Sequence, residues 1–200
     1  MSGPRGLRRV LVANRGEIAV RVMQTCRRLG IETVLTVSDA DAESLPARLA
    51  DKVIRIGPAP ASASYLNVDA VVRAAAAAGA DAVHPGYGFL SENARLARAC
   101  AAAGIVFIGP DPGVLEATGD KLAARGHAVA AGLPVLPGGT GVSATELAGP
   151  IGYPVLVKAA GGGGGRGLRV ARDPAELEHA MAVASAEAAA AFGDPRVYLE

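Results

Sequence analysis

The residues best suited to chemistry form one run, which begins at Lys158 and continues through the glycines of Gly161–Gly165 to Gly167. Glycine lets a backbone approach a ligand closely, but each one costs roughly 0.5–1 kcal/mol of ordering relative to alanine. A structural turn needs one or two glycines, whereas five in succession indicate a loop that presents bare N–H groups to an anion. Lys158 ends an apolar segment and supplies a positive charge for the same anion. The run therefore predicts a loop that covers phosphate groups, rather than a low-complexity linker.

The flanking residues indicate which kind of phosphate loop this is. Gly162, Gly164 and Gly167 match the spacing of a dinucleotide-binding turn, in which the glycines open a helix. Here Leu168–Val170 has the pattern of a strand, and the next helix begins only after Asp173. A Walker A loop is excluded because no Gly-Lys-Ser/Thr follows the glycines. The pattern predicts strand, loop and strand, a flap over a nucleotide of the kind that protein kinases also use.

A second candidate site is the loop His84–Asn93, which follows the fourth predicted strand. It lies at the carboxyl end of that strand, where open α/β sheets bind their ligands. The residues alone fit a structural loop equally well, with Ser91 capping the next helix and His84 as a core histidine. The first turn, Asn14–Glu17, has one glycine where a dinucleotide turn has three, so no nucleotide site is expected there. Lys121, at the start of a predicted helix, fits either a phosphate contact or a solvated cation.

Strand and helix patterns alternate with short links through the first 110 residues. The predicted strands are 10–13, 33–37, 53–56, 82–84 and 106–108, and helices follow them, among others at 44–50, 68–78 and 92–103. We expect Asn14 to cap the first helix and Gly30 to end it. This alternation predicts an open parallel α/β sheet. Later strands at 155–158, 168–170 and 197–200, with a helix at 174–191, predict a second and smaller α+β domain.

Composition and charge exclude several classes of function. The 200 residues are 50% apolar, which is enough to bury a core, and the formal net charge of +1 gives no electrostatic case for binding nucleic acid or a membrane. Cys26 and Cys100 lie in helical patterns without a metal-ligand partner at short spacing, so we expect buried, reduced thiols and a cytoplasmic protein. The segment before Val10 has no apolar core, and a signal peptide is not expected.

A series of blocks along the chain resembles the biotin carboxylases, the ATP-dependent module of biotin-dependent carboxylases. The blocks are Val12–Ala19, Ile56–Pro60, Ser64–Asn67, His84–Asn93, Phe107–Pro110, Gly119–Lys121, Ile151–Pro154 and Lys158–Gly167. The likeness covers the chain from about residue 9 to residue 200. It implies an open parallel, Rossmann-like pre-ATP-grasp domain at 1–108, a connector at 109–133 and an incomplete α+β ATP-grasp lid at 134–200. A sequence that ends within this lid is expected to be truncated.

The resemblance also implies a reaction and the residues that bind its substrates. ATP, bicarbonate and a biotinyl carrier protein would give carboxybiotin, ADP and phosphate through carboxyphosphate, as the first half-reaction of an acyl-CoA carboxylase. The positions that contact ATP in the family fall here on Lys121, Lys158, Gly164, Gly165 and Glu200. Glu200 would be the first residue of the hinge that reaches the adenine. Tyr87 would lie near the biotin end of the site.

Other functional residues of the family fall beyond residue 200. They are the glutamates that bind Mg²⁺ or Mn²⁺, the arginine that binds bicarbonate and the catalytic lysine. The resemblance therefore assigns no catalytic or metal-binding residue within the chain, and the 200-residue polypeptide alone is expected not to carboxylate biotin. Alternatives are another ATP-grasp ligase, such as a carbamoyl-phosphate or purine-pathway enzyme, and a non-catalytic protein that binds nucleotide or a partner.

The implied partners are a biotin carboxyl carrier protein or domain and a carboxyltransferase subunit. In bacterial members of the family the first helix helps to form a homodimer. Arg21 fits that pattern, whereas Gln24 and Arg28 depart from it. Other domains choose the acyl-CoA or keto acid that finally receives the carboxyl group.

Overall fold

Strands and helices alternate through the first part of the chain in a computed structural model, which describes residues 6–140, 144–161 and 167–200. The strands here are β1 (Arg9–Val12), β2 (Glu32–Ser38), β3 (Lys52–Gly57), β4 (Ala82–His84) and β5 (Val106–Phe107). The helices are α1 (Gly16–Arg28), α2 (Leu45–Leu49), α3 (Val68–Ala78), α4 (Ala94–Ala102) and α5 (Pro112–Gly119). The chain divides into two compact units between Leu115 and Glu116, within α5.

The five strands of the first unit form one sheet in the order β3-β2-β1-β4-β5, and all neighbouring strands are parallel. Helices cover both faces, so β1 and β2 are buried on both sides. On one face Leu11, Val34 and Val83 belong to a core that includes α3 and α4. On the other face Val10 and Val12 pack with α1. The open parallel sheet predicted from the sequence is confirmed.

Two predictions about helix starts are wrong in detail. Asn14 does not cap α1, because the N-cap position belongs to Arg15 and the Asn14 side chain instead bonds to the loop after β4. Helix α4 begins at Ala94 rather than near residue 92, because successive turns occupy 88–93 and Asn93, not Ser91, accepts the hydrogen bond from the Leu96 N–H. In both cases a tertiary contact or a turn decides the helix boundary.

The second unit contains α6 (Lys121–Ala130), α7 (Ala144–Ile151), β6 (Val155–Ala159), β7 (Leu168–Ala171), α8 (Pro174–Phe192) and β8 (Val197–Leu199). Its three strands form an antiparallel sheet in the order β7-β6-β8. Helix α8 packs on β6 and β7. Its buried positions are mostly alanines at helical spacing, which allow a close approach to the sheet, and the core of this unit includes Leu177, Ala180 and Ala184. The smaller α+β unit agrees with the predicted fold class.

The glycine run joins two paired strands, as predicted. Lys158 lies opposite Leu168 in the antiparallel pair of β6 and β7, so a strand follows the glycines and not a helix. Gly167, the first described residue after the run, has a φ of +68°, and a Cβ on it would lie 2.9 Å from the Cβ of Ala159. A glycine is therefore required where the chain enters β7. Residues 162–166, with Gly164 and Gly165, lie outside the described residues.

The two cysteines are free and buried, which confirms the expectation for Cys26 and Cys100. Burial raises the pKa of the Cys100 thiol to about 11, and the residue has no exposed surface. Because the thiolate is the reactive species, we predict that iodoacetamide alkylates Cys100 at pH 8 only when the first unit unfolds. Mass spectrometry of the labelled peptide at increasing urea concentration measures this. Labelling of the native protein at the rate of a free thiol would contradict the prediction.

Candidate functional site

Lys158 and Glu200 form an ion pair in the second unit, at the end of β6 that leads to the glycine run. Glu200 exchanges backbone hydrogen bonds with Leu156, so it is diagonal to Lys158 across the antiparallel pair and lies on the same face of the sheet. The side chains are only 25% and 16% exposed. A half-buried ammonium of this kind can neutralise a phosphate, and the carboxylate keeps this ammonium in place.

The start of α6 is attached to the same part of the sheet. The Asp120 carboxylate caps the helix by accepting hydrogen bonds from the N–H groups of Leu122 and Ala123, at 2.8 and 3.1 Å. The backbone N–H of Lys121 donates to the carbonyl oxygen of Ala160 at 3.1 Å. This hydrogen bond fixes the backbone of Lys121 beside Ala160, the residue before the glycine run.

Arg196 links this helix start to the residues before β8. Its guanidinium lies 2.8 Å from a carboxylate oxygen of Asp120 and 2.7 Å from one of Asp194. The backbone N–H of Ala160 in turn donates to the carbonyl oxygen of Arg196 at 2.9 Å. Hydrogen bonds from Ala123, Leu122 and Arg196 outweigh partial burial and lower the pKa of Asp120 below its usual value. The carboxylate therefore stays ionised at neutral pH and holds the start of α6 to Arg196, the residue before β8.

We predict that Asp120→Ala destabilises the second unit by about 0.5–2 kcal/mol, because the helix cap is lost. Asp120→Asn keeps a capping oxygen but weakens the contact with Arg196, so a smaller loss is expected. Hydrogen exchange of the amides of 121–130 measures the effect where it should arise. Equal exchange in Asp120→Ala and the unmodified chain would show that the cap does not stabilise this helix.

Gly138 and Gly139 pack against the backbone of Leu199 and Glu200. Gly139 exchanges two backbone hydrogen bonds with Leu199, at 3.0 and 3.1 Å. A Cβ on Gly138 would lie 2.2 Å from the carbonyl oxygen of Leu199 and 3.2 Å from the Cα of Glu200. Position 138 therefore has no room for a side chain, and the loop fixes the backbone that carries Glu200.

Tyr87 lies in the first unit, on the loop after β4, and is 61% exposed. Its hydroxyl donates a hydrogen bond to the carboxylate of Glu17, and this bond, together with partial burial, raises the pKa of Tyr87. His84, before the loop, is half-buried, and its Nδ1 accepts a hydrogen bond from the N–H of Gly86 at 3.0 Å. Burial lowers the pKa of His84, so this residue fits the structural interpretation of the sequence.

The structure brings together some of the residues predicted from the sequence. Lys158 and Glu200 are in contact, and the backbone of Lys121 is bonded two residues after Lys158. Sequence reasoning missed Asp120 and Arg196. The aspartate directly before a helical lysine was a recognisable cap signal. No sequence signal pairs Arg196 with a residue 76 positions away.

The described residues have no metal site and no membrane-spanning segment. Among 6–140, 144–161 and 167–200, no group of three or more His, Cys, Asp or Glu side chains is arranged to hold a metal ion. In the same part of the chain no helix combines the length and the hydropathy needed to cross a bilayer.

Comparison with protein families accounts for nearly the whole sequence. Residues 6–115 match the model described as the biotin carboxylase N-terminal domain, which is more than half of the chain. The chain belongs to the biotin carboxylase family. Residues 120–200 match the model described as the ATP-binding domain of the carbamoyl-phosphate synthase L chain. The resemblance stated from the sequence is thereby confirmed.

Curated relatives of this biotin carboxylase family member include a bacterial biotin carboxylase and a mitochondrial carboxylase alpha chain. The chain is 48% identical to the biotin carboxylase of Pseudomonas aeruginosa over an alignment 200 positions long, which covers 97% of the chain and 44% of the relative. It is 49% identical to the mitochondrial propionyl-CoA carboxylase alpha chain of Homo sapiens over an alignment 197 positions long, which covers 96% of the chain and 27% of the relative. The chain therefore spans less than half the length of these relatives.

Two solved structures have the same fold. The biotin carboxylase–βγ-ATP complex of Campylobacter jejuni gives a TM-score of 0.92 at 45% identity, covering 97% of this chain and 45% of that one. The biotin carboxylase domain dimer of Hydrogenobacter thermophilus 2-oxoglutarate carboxylase, in complex with MgADP, ADP and bicarbonate, also gives 0.92, at 44% identity and with coverages of 98% and 44%. Both neighbours are nucleotide complexes of biotin carboxylases.

Proposed function

We propose that this chain supplies the first part of an ATP-dependent biotin carboxylase. The enzyme would use ATP and bicarbonate to carboxylate the biotin of a carrier protein through carboxyphosphate, as the first half-reaction of an acyl-CoA carboxylase. Residues 1–108 would be its pre-ATP-grasp domain, 109–133 the connector and 134–200 part of the lid. The observation that carries the proposal is the Lys158–Glu200 pair near the end of β6 that leads to the glycine run, in a chain that resembles nucleotide-bound biotin carboxylases.

In this proposal the second unit binds ATP. Lys158 and Lys121 contact phosphate oxygens, and Gly164 and Gly165 bind the phosphates through their backbone N–H groups. Glu200 reaches towards the adenine through its backbone and keeps Lys158 oriented through its carboxylate. The two lysines and the backbone dipoles offset the negative charge of the triphosphate, which accounts for binding but not for the complete chemistry.

The proposed reaction also needs a divalent ion, because Mg²⁺ neutralises charge that develops on the β- and γ-phosphates during phosphoryl transfer. Mg²⁺ is usually bound by one or two carboxylates. The described residues do not form a group that fits such an ion, and we derive no step through it from this chain. We assign no catalytic residue among 1–200 either, and propose that biotin approaches Tyr87 in the first unit.

The proposed partners are the biotin carboxyl carrier protein or domain and a carboxyltransferase subunit. A second copy of the chain is proposed to bind at α1, where an apolar groove of about 440 Å³ lies beside the exposed residues Arg21 and Leu29. Sedimentation velocity of the Arg21→Glu variant tests this contact. A sedimentation coefficient equal to that of the unmodified protein would argue against a dimer through α1.

A chimera tests whether the chain can perform the proposed role. Residues 1–200 would replace the matching part of the Pseudomonas aeruginosa biotin carboxylase, with which they share 48% identity. We expect the chimera to release phosphate from ATP in a reaction that requires bicarbonate and free biotin. The 200-residue polypeptide alone, assayed in parallel with Mg²⁺, is expected to show no biotin-dependent release. A folded but inactive chimera, or turnover by the short polypeptide, would contradict the proposal.

A further inference from the structure

The turn that connects β1 to α1, residues Asn14–Glu17, contacts the loop after β4. The ATP site proposed above does not use these residues. Strands β1 and β4 are neighbours at the point where the strand order 3-2-1-4-5 reverses. Open α/β sheets bind their ligands in the crevice at the carboxyl ends of the two strands that flank such a point. A pocket of about 330 Å³ lies there, between turn residues 14–18 and loop residues 87–89. The position and the pocket mark this crevice as a place for a substrate.

Asn14 fixes the backbone of the loop. Its side-chain amide donates hydrogen bonds to the carbonyl oxygens of Pro85 and Tyr87, both at 2.8 Å. Its oxygen accepts the N–H of Arg15 at 2.9 Å, and the residue is only 3% exposed. A Cβ on Gly86 would lie 2.7 Å from the Asn14 amide nitrogen. The loop can therefore follow this path only because a glycine lies over the amide.

Arg15 fixes the far end of the loop. Its guanidinium carbon lies 5.4 Å from the ring centroid of Phe89 and 5.5 Å from that of Tyr65, and the two rings stack at 4.9 Å. The guanidinium also pairs with Asp41 at 3.3 Å. Phe89 has a φ of +43°, a conformation that bulky residues rarely adopt. Stacking on Tyr65 and the contact with the Arg15 guanidinium together hold Phe89 in this unfavourable backbone conformation.

Asp41 connects the Arg15 contact to β2 and explains why Arg15 is held. Its carboxylate also accepts hydrogen bonds from the hydroxyl groups of Tyr65, at 2.9 Å, and Ser38, at 2.6 Å. Burial acts to raise its pKa, but the bonds from Ser38, Tyr65 and Arg15 outweigh burial and lower it. The anion at Asp41 thus persists at neutral pH as a fixed partner for the Arg15 guanidinium.

Glu17 fixes the one side chain of the loop that projects into solvent. The hydroxyl of Tyr87 donates to the Glu17 carboxylate, although the residue as a whole is 61% exposed. An exposed tyrosine without such a partner samples several rotamers. The hydrogen bond selects the rotamer in which the ring borders the pocket.

We propose that Asn14, Arg15 and Glu17 are positioning residues, which together hold the Tyr87 ring as a wall of the substrate crevice. The substrate is biotin if the proposed function is correct, and this part of the inference rests on that proposal. Asn14 sets the backbone, Arg15 holds the strained end at Phe89, and Glu17 orients the phenol. The turn Asn14–Glu17, which lacks the three glycines of a dinucleotide-binding turn, thereby supports the neighbouring loop.

The kinetic test uses the complete gene product and free biotin. Glu17→Gln and Tyr87→Phe are each expected to raise the KM for biotin about three- to tenfold while leaving the KM for ATP unchanged. The double variant is expected to show no more than the larger single effect, because both changes act on the same hydrogen bond: Tyr87→Phe removes the donor, and Glu17→Gln replaces the anionic acceptor by a weaker neutral one. The control is Glu43→Gln, which alters an exposed glutamate of the same unit. A KM for biotin in Glu17→Gln equal to that of the control would overturn the proposal.

A second measurement separates the positioning role from the proposed function. In Asn14→Ala and Glu17→Gln, hydrogen exchange at the amides of 86–93 is expected to accelerate at least tenfold, while exchange in α3 stays unchanged. Unchanged exchange in the loop would overturn the positioning role, whatever the kinetics. Wild-type protein that binds ATP but shows no biotin-dependent turnover would overturn biotin as the substrate, and the exchange result would still decide whether the three residues hold the loop.

Discussion

Replacing Lys158 with alanine in the complete gene product is expected to weaken ATP binding by about ten- to a hundredfold. The Lys158 side chain lies near the end of β6 that leads to the glycine run and is only 25% exposed, so little water screens its charge. Its removal deletes a charge-assisted contact worth about 1.5–3 kcal/mol. It also leaves the Glu200 carboxylate without its partner in the proposed phosphate site. Isothermal titration with ATP measures the loss.

Lys52→Ala is the matched control, since it removes an exposed lysine from β3 in the other unit. The double variant Lys158→Ala, Glu200→Gln separates the two contributions. It should recover part of the lost affinity, because the unpaired carboxylate is then neutral. Unchanged ATP affinity in Lys158→Ala would refute the assignment of this residue to the phosphates.

Replacing Gly138 with alanine is expected to have the second large effect. The new Cβ would lie 2.2 Å from the carbonyl oxygen of Leu199, which is backbone and cannot rotate away. Overpacking of this kind costs about 1–3 kcal/mol. Since the displaced backbone leads directly into Glu200, ATP binding should also weaken by about tenfold or more, which corresponds to about 1.4 kcal/mol. Thermal unfolding and ATP titration of the same preparation measure both effects.

Gly126→Ala provides the control for the Gly138 prediction. Gly126 lies inside α6 in the same unit, and nothing would lie within 4 Å of a Cβ there. This substitution should stabilise the unit by roughly 0.5–1 kcal/mol through the loss of glycine's conformational freedom. If Gly138→Ala matched wild type in both measurements, the loop would not support Glu200 as described.

The sequence predicted elements well where local signals and burial agree. Helix α3 has the predicted bounds, because Asn67 caps it and Gly79 ends it in the left-handed conformation. Strand β4 is also as predicted. The starts of α1 and α4 were less predictable, since the side chain of Asn14 is used by a loop about 70 residues away and not by its own helix. Such a choice depends on tertiary contacts that local patterns do not encode.

The candidate site was predictable in its residues but not in its contacts. The lysine and the glycine run predicted a phosphate loop from residue type and spacing alone, and the resemblance to biotin carboxylases pointed to Glu200 and Lys121. The ion pair between Lys158 and Glu200 depends on the register of β6 and β8, which are separated by α8. The support from Asp120, Arg196 and Gly138 likewise arises from packing. The positions of Gly164 and Gly165 lie outside the described residues, and their role stays a prediction.

Phosphate release from ATP by the complete gene product tests the central claim most directly. With Mg²⁺ and bicarbonate present, we predict that release rises severalfold when free biotin is added and that Lys158→Ala abolishes most of the rise. Ammonia or another amine should not replace biotin, in contrast to a carbamoyl-phosphate-forming ligase. Release that responds to ammonia and not to biotin would contradict the assignment of this chain to biotin carboxylation.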